Sequence, residues 1–594
     1  MVGPLEYTIN RPEHRVFLEA AKDTANTLYS LLTDYTTPPK FVVVTHKADA
    51  DGLASQSVLT QTLQIASEFM GNVEAEVVST RVMDVSPDSV DENSLPSLKR
   101  EFGDAFYIFA DLGTAQPTQV QKVFGGGIVI DHHPAQEIAD GVTYLNPCLY
   151  GIEGQSELSG AVSSAFVMHA LLDIIREEHG GSEQFTALED KFKHLTLIGL
   201  AGGNADQQGN NGLNDVLYQY LMSNRILKKV DSPFFGYYTK TLDKVLAESP
   251  IPINLMYRVA SKKEVKALFD GQLPPIAHRL CFATDSDGNT GLNVQYMAAH
   301  GIDPALYPGV PIVYDDFTSD LKGHGDRVAK AGQLLGALGV TKDTKMCDLP
   351  SGSKAKNRLM DAIRDNVHAF AEPELMPRFD SLLAESQYCM QQRDSRLMRS
   401  MSLSELANVM TALSKLGEGD NFCRAVDIEV NGRYSAESVA HETLFEEIAS
   451  THTRYKRAVY SGMMAIEALM PTTLEVISDG IYHLPLDKLC GGEIPIQVMT
   501  GVYGGLVAGT RGLPGHHGIL LTSYPIGEKR RKISGRVNLF PGQTVHLGDF
   551  FRQQAELGIA ESGGGHSTAA ACKIRTSKFG ELVASATSYD FSKR

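Results

Sequence analysis

Three apolar runs, each ending in aspartate or histidine, do most to limit what this chain can fold into. Phe41-Val42-Val43-Val44 leads into Thr45-His46-Lys47-Ala48-Asp49-Ala50-Asp51-Gly52. Phe106-Tyr107-Ile108-Phe109-Ala110 leads into Asp111-Leu112-Gly113, and Gly127-Ile128-Val129-Ile130 into Asp131-His132-His133. Unbroken apolar runs of this length suit strands of a parallel sheet buried on both faces. In such sheets ligands bind beyond the carboxyl ends of the strands. The clusters are therefore expected along one sheet edge, where they can converge on a metal.

Around these runs the pattern alternates: a helix over 12–37, strands at 41–45, 74–79, 105–110 and 127–131, and helices near 53–69, 95–101 and 117–123. That alternation predicts a doubly wound α/β sheet. Helices follow at 159–178 and 187–200, then a loop, Ala201-Gly202-Gly203-Asn204-Ala205-Asp206-Gln207-Gln208, which presents Asp206 after flexible glycines. Proline-rich punctuation between 240 and 385 separates mostly helical pieces, expected to form an insertion or lid. Helical signal returns at 402–416 and, as a long connecting helix, at 437–470. Beyond Pro471 a smaller α/β domain is expected, with strands at 473–478, 517–523 and 530–537 and helices at 546–557 and 578–586. The expected domains are 1–240, an insertion over 241–400, a remainder of the first lobe with the connecting helix over 401–470, and 471–594.

The 594 residues exceed one hydrophobic core. No apolar stretch approaches twenty residues, and the N-terminus lacks a basic segment followed by an apolar one, so neither membrane spanning nor secretion is expected. Seven scattered cysteines without a Cys-x-x-Cys fit reduced thiols and a cytoplasmic location. A net charge of −17 argues against a surface coated for nucleic acid, but leaves room for a local basic groove.

Taken singly, an aspartate after a strand is more often a helix cap or turn residue. As a set, His46, Asp49, Asp51, Asp111, His132 and Asp206 offer the mixed oxygen and imidazole ligands that suit manganese or magnesium. Two such ions roughly 3.5–4 Å apart form a clamp for in-line attack at phosphorus, with Asp111 bridging them. Far downstream, Ser562-Gly563-Gly564-Gly565-His566-Ser567 reads either as an anion nest from which His566 donates to phosphate or as a flexible loop. Alternation around Ile533 and Val537 places Ser534 and Arg536 on one strand face, with Arg536 suited to bidentate phosphate contact. Arg393, Arg396, Arg399, Arg454, Lys456 and Arg457 line either a nucleic-acid channel or the wet faces of helices. Asp285-Ser286-Asp287-Gly288-Asn289 misplaces the glycine of a calcium loop, and Gly515-His516-His517-Gly518 reads as a solvated turn.

Asp49-Ala50-Asp51, Asp111, Asp131-His132-His133 and Asp206, with the distant Gly563-Gly564-Gly565-His566, resemble the DHH phosphoesterase superfamily and its associated C-terminal domain. Ile198 through Gln208 and Leu403 through Gly417 resemble archaeal RecJ-like nucleases of the GINS-associated type; the resemblance covers roughly 40–235 and 400–575. It implies an N-terminal doubly wound parallel-sheet DHH domain with a mostly helical insertion, joined by a long helix to a smaller α/β domain. It implies two Mn2+ or Mg2+ ions, one held by His46, Asp49 and Asp111, the other by Asp51, Asp111, His132 and Asp206. His133 would contact the scissile phosphate, Asp131 would orient the imidazoles, and Ser534, Arg536, Gly564, Gly565 and His566 would bind phosphate. One departure is that His46 stands three residues before Asp49, unlike many RecJ-like members. The implied activity is exonucleolytic hydrolysis of single-stranded DNA or RNA in replication or repair, with GINS and the MCM helicase as partners. The alternatives are a phosphodiesterase for oligonucleotides or cyclic dinucleotides, and a replication scaffold.

Overall fold

The apolar runs are strands. In the computed structural model β1 (Lys40–His46), β2 (Glu76–Val82), β3 (Phe106–Ala110), β4 (Gly127–Ile130) and β5 (Val142–Leu145) form one sheet in the order β2-β1-β3-β4-β5, every pair parallel. Residues 41–44 and 128–130 are wholly buried, as strands covered on both faces must be. The structure describes residues 11–592 except 83–93, 115–116, 136–137, 231, 235, 237–239, 250–252, 275–278, 315–323, 371–375, 377–379, 381–382, 384–385, 392–394, 398–400, 436, 490–493, 512–517 and 540–542. Gly515, His516 and His517, with Arg393 and Arg399, lie outside the described residues. Among the described residues no helix is long and apolar enough to cross a membrane.

One sheet face carries α3 (Ser94–Phe102) and α4 (Pro117–Phe124), whose Leu95, Leu98 and Val120 join Val42, Val44, Phe109 and Val129 in one core. The other carries α2 (Ala50–Phe69) and α5 (Gly160–His179), with α1 (Pro12–Leu32) against α5 and β5, and α6 (Glu183–Ala205) packed on α2 and α5. The order reverses between β1 and β3: the connection through α2 runs one way to β2, and the chain returns on the other side. A crevice for ligands opens at such a switch point, at the carboxyl ends. His46 ends β1, and Asp111 follows β3 directly.

The contacts divide the chain into two compact units. The first comprises residues 1–227, 391–399 and 406–594. Besides α7 (Gly212–Ser223) it holds a second sheet, of β12 (Glu475–Ser478), β13 (Ile481–Pro485), β14 (Gly518–Ile526), β15 (Arg530–Asn538), β16 (Ala560–Gly565) and β17 (Ala569–Arg575), ordered β12-β13-β14-β15-β17-β16. The remaining unit, 228–390 with 400–405, has its own cores around Leu246, Leu335 and Ile363 and around Phe282 and Met297. The residues of its helices α8 (Leu242–Ala247), α9 (Lys262–Leu268), α10 (Val294–Ala299), α11 (His324–Ala337) and α12 (Lys354–Phe370) outnumber those of its strands. Yet β7 (Tyr257–Val259), β8 (Phe282–Asp285), β9 (Thr290–Asn293) and β10 (Ile312–Tyr314) form a four-stranded sheet, and β6 (Leu227–Val230) pairs with β11 (Gln387–Met390). Strands of three or four residues are too short to print a periodicity.

Helices α13 (Leu403–Leu416) and α14 (Gly419–Val430) lead into α15 (Val439–Thr473), the long connecting helix. It continues through Pro471, one turn past the expected end, and the Leu474 amide closes it on the Met470 carbonyl at 3.0 Å. Helices α16 (Ile496–Leu506), α17 (Leu547–Glu556) and α18 (Phe579–Ser588) complete the C-terminal part. Two further expectations are corrected. Residues 201–205 are helical, because Gly202 lets α6 press against α2 and α5: a Cβ there would stand 2.6 Å from the Cβ atoms of Ala54 and Ala161. Residues 562–565 belong to β16, neither nest nor loop, with Gly564 opposite Ala571 and Gly565 opposite Ala570. Their glycines admit α17, since side chains at Gly548 and Gly563 would run into the carbonyls of Gly565 and Phe551.

Candidate metal centre

Each candidate ligand is placed by an element end. Asp49 caps α2, its Oδ2 accepting the Gly52 amide at 3.1 Å, and Asp51 lies in the first turn. Asp206 caps the carboxyl end of α6. Asp111 leaves β3 with φ of +59°, a left-handed conformation uncommon outside glycine and typically costing ~1–3 kcal/mol. Gly160 makes room for it, because a Cβ there would stand 2.7 Å from the Asp111 Cβ.

The two histidines are fixed from behind. The His132 Nδ1 proton goes to the Gly154 carbonyl at 2.8 Å, and the His133 Nδ1 proton to Asp131 Oδ1 at 2.7 Å. Asp131 also accepts the amides of Thr114, His132 and His133. Asp131 therefore orients the His133 imidazole only; the His132 imidazole, expected to lean on it too, is held by the Gly154 carbonyl instead. With Nδ1 used, His132 Nε2 carries a lone pair, and it faces Asp111 Oδ1 at 3.2 Å and Asp206 Oδ2 at 3.3 Å. Three oxygen and nitrogen acceptors turn toward one another, with Asp111 Oδ1 buried and lacking a hydrogen-bond partner, so positive charge is favoured between them, as protons on the carboxyls or as a metal ion. The residues fit a divalent metal on this observation of their own geometry.

Electrostatics agree. Burial and the Asp49 charge push the Asp51 carboxyl up to about 7, although Ser159 Oγ donates to it at 2.8 Å and the Ala161 amide at 3.2 Å. Burial, then Asp51 and Asp49, raise Asp111 and Asp206 well above the carboxylate range. Burial also opposes ionisation of Asp49, but the hydrogen bond with Asp111, Lys415 and His46 outweigh it and hold that carboxyl low. Burial, then His133, lowers His132 to about 4, so its imidazole is neutral, as a ligand must be.

Asp51, His132 and Asp206 bring ligand atoms within 4.8 Å of one another, as do Asp111, Asp131 and His133, and as do His132, His133 and His566. His566 arrives from the C-terminal part: its ring stacks on His133, centroids 4.8 Å apart and planes at 19°. Gln155 bonds to Ser567 and Thr568 beside it. His46 stands at the margin, its Nδ1 accepting the Ala48 amide at 3.3 Å. Ser534 is buried with its Oγ on Thr500 Oγ1 at 2.9 Å, while Arg536 lies beside Gly501 and Gly504 of α16. Of the channel candidates, Arg396 pairs with Glu442 and Arg454 with Glu418. The Asp285 loop is a tight turn, with the amides of Asp287 and Asn289 on the Asp285 carboxylate.

Sequence reasoning missed Lys415. In α13 it reads as one more lysine in a last helical turn, a common position; here its Nζ donates to the Ala48 carbonyl at 2.6 Å, beside Asp49. Ser159 was also missed, its cap role hiding its bond to Asp51.

Residues 40–200 match the DHH family, N-terminal domain. The chain is 24% identical over 211 residues to an uncharacterized protein of Methanocaldococcus jannaschii, MJ0831, the match covering 34% of this chain and 42% of that one. Among solved structures it is similar to RecJ from Thermus thermophilus in complex with Mn2+, at 14% identity and a TM-score of 0.45, covering 97% of this chain and 56% of that one. It is also similar to CDC45 from Entamoeba histolytica, at 11% identity and a TM-score of 0.49, covering 96% and 98%.

Proposed function

We propose that this chain is a metal-dependent phosphodiesterase that hydrolyses single-stranded DNA or RNA from an end, in the manner of RecJ. The observation that carries the reading is the unprotonated His132 Nε2 facing Asp111 Oδ1 and Asp206 Oδ2 with no donor among them. His46, Asp49 and Asp111 would hold one manganese or magnesium ion, and Asp51, Asp111, His132 and Asp206 a second. Bound there, divalent ions supply positive charge to phosphoryl oxygens and make a water acidic enough to attack phosphorus. The chain's own residues do the rest. Asp131 fixes the His133 tautomer, leaving Nε2 to meet a phosphate oxygen. His566, stacked on His133, and Arg536 hold the phosphate from the C-terminal side. GINS and the MCM helicase are proposed partners, by the same resemblance.

End-labelled single strands incubated with manganese, with magnesium and with chelator test this directly. Cleavage should require the metal, and Asp111→Ala should lower it at least a thousandfold while circular dichroism stays unchanged. Full activity in that variant, or cleavage in chelator, would refute the reading. Capture of GINS by Asp111→Ala would separate assembly from catalysis.

A further inference from the structure

One buried side chain behind the metal centre has no place in the chemistry above. Gln208 is 3% exposed, although glutamine mostly lies at protein surfaces. It follows Asp206, the cap of α6, by two residues, and the chain reverses between them. The reversal runs through Gln207 at a φ of +62°, a left-handed conformation that favours glycine. The Gln208 amide closes it on the Gly203 carbonyl at 2.8 Å. Its side chain is thereby turned back toward the loop that supports His132.

There Gln208 Nε2 donates to the Gly154 carbonyl at 2.9 Å. This is the carbonyl that takes the His132 Nδ1 proton at 2.8 Å, so both of its lone pairs are engaged. Gly154 sits tightly in its place, since a Cβ there would run into the His132 carbonyl. The far end of the amide is held as well. Asn214 Nδ2 reaches Gln208 Oε1 at 3.4 Å and the Gly209 carbonyl at 3.0 Å. A carbonyl only accepts, so these partners fix which way the Gln208 amide faces. One side chain thus joins two acceptors that stand 3.3 Å apart in the centre, His132 Nε2 and Asp206 Oδ2. It reaches Asp206 through the turn at Gln207 and His132 through the Gly154 carbonyl. The competing tautomer, with the proton on Nε2, would satisfy the carboxylates beside it and could not bind metal there. Steadying the Gly154 carbonyl opposes that tautomer.

We propose that Gln208 is a positioning residue for the second ion, the one assigned to Asp51, Asp111, His132 and Asp206. By holding the Gly154 carbonyl it selects the His132 tautomer and ties that imidazole to Asp206. This rests on the two-ion reading above and names a determinant of metal loading within it. Manganese titration, followed by the electron paramagnetic resonance of the free ion, tests it on Gln208→Met and Gln208→Glu. The first keeps the length of the side chain without its donor. The second keeps its shape but sets an acceptor against the Gly154 carbonyl. Both should weaken one of the two manganese sites by about tenfold to a hundredfold, the glutamate more, and leave the other unchanged. Strand hydrolysis should then need more manganese, and at saturating metal it should return to within about threefold of the parent. Should Gln208→Glu fail to fold, Gln208→Met carries the same test. Unchanged binding at both sites would overturn the proposal. So would equal weakening of both sites, which would make Gln208 a support of the fold at large. Selective weakening in a protein whose parent cleaves no strand would uphold the positioning role while ending the phosphodiesterase reading.

Discussion

At the scale of single residues, one tautomer and one charge balance set the properties of the centre. The Gly154 carbonyl takes the His132 Nδ1 proton, so Nε2 can only accept, and the carboxyls around it, once ionised, can only accept as well. The folded Asp51 takes up a proton near pH 7, while the unfolded chain does so near the ordinary value of 3.8. Asp51 thus contributes stability that is lost as pH rises toward 7, whereas His132, His169 and His566, lowered by burial, act in the opposite sense below the free histidine value of 6.5; above 6.5 the carboxyls decide, and stability of the metal-free protein falls as pH rises. Asp111 and Asp206 shift in the same direction. Asp49 and Asp131 are held low, and their contribution disappears only as pH falls below the ordinary carboxylate range, outside the window. In chelator the melting temperature should therefore be lower at pH 8 than at pH 7, with manganese raising it more at pH 8. Thermal melts at both pH values, with and without the metal, check this; an equal manganese effect at both would contradict it.

Among the elements, glycines decide how closely the backbones approach. Gly202 faces Ala54 and Ala161 where α6 meets α2 and α5, and a Cβ there would also stand 2.8 Å from Asp51 Oδ1. Gly202→Ala should destabilise the protein by about 1–3 kcal/mol through overpacking, and should weaken manganese binding by displacing Asp51. Gly209→Ala is the control, its nearest neighbour lying 3.9 Å away. Urea unfolding and metal titration of both variants measure the difference. This contact also explains why the loop expected at 201–208 is helix through Ala205 instead. Glycine and asparagine in sequence signal a loop, but a glycine required by a neighbouring helix looks the same as one that ends a helix. Likewise Gly563-Gly564-Gly565 read as a nest, whereas in the fold they let α17 lie on β16. The first sheet was legible because its strands are buried on both faces and so are apolar without interruption. Strands β7 to β10 were not, being three or four residues long.

For the whole molecule, the two units carry separate hydrophobic cores, and every candidate ligand lies in the first. Scanning calorimetry should resolve two transitions, of which manganese raises one and leaves the other in place; a uniform upward shift of the whole profile would contradict this. The sequence alone determined the parallel sheet and the alignment of its acidic ends, because strand burial and local spacing are short-range properties. Only the tertiary structure decided which carboxylates share protons, that α6 delivers Asp206 as a helix cap, that His566 stacks on His133, and that Lys415 closes on Ala48. Those outcomes depend on contacts between residues from tens to hundreds of positions apart, and no local pattern encodes a distance of that kind.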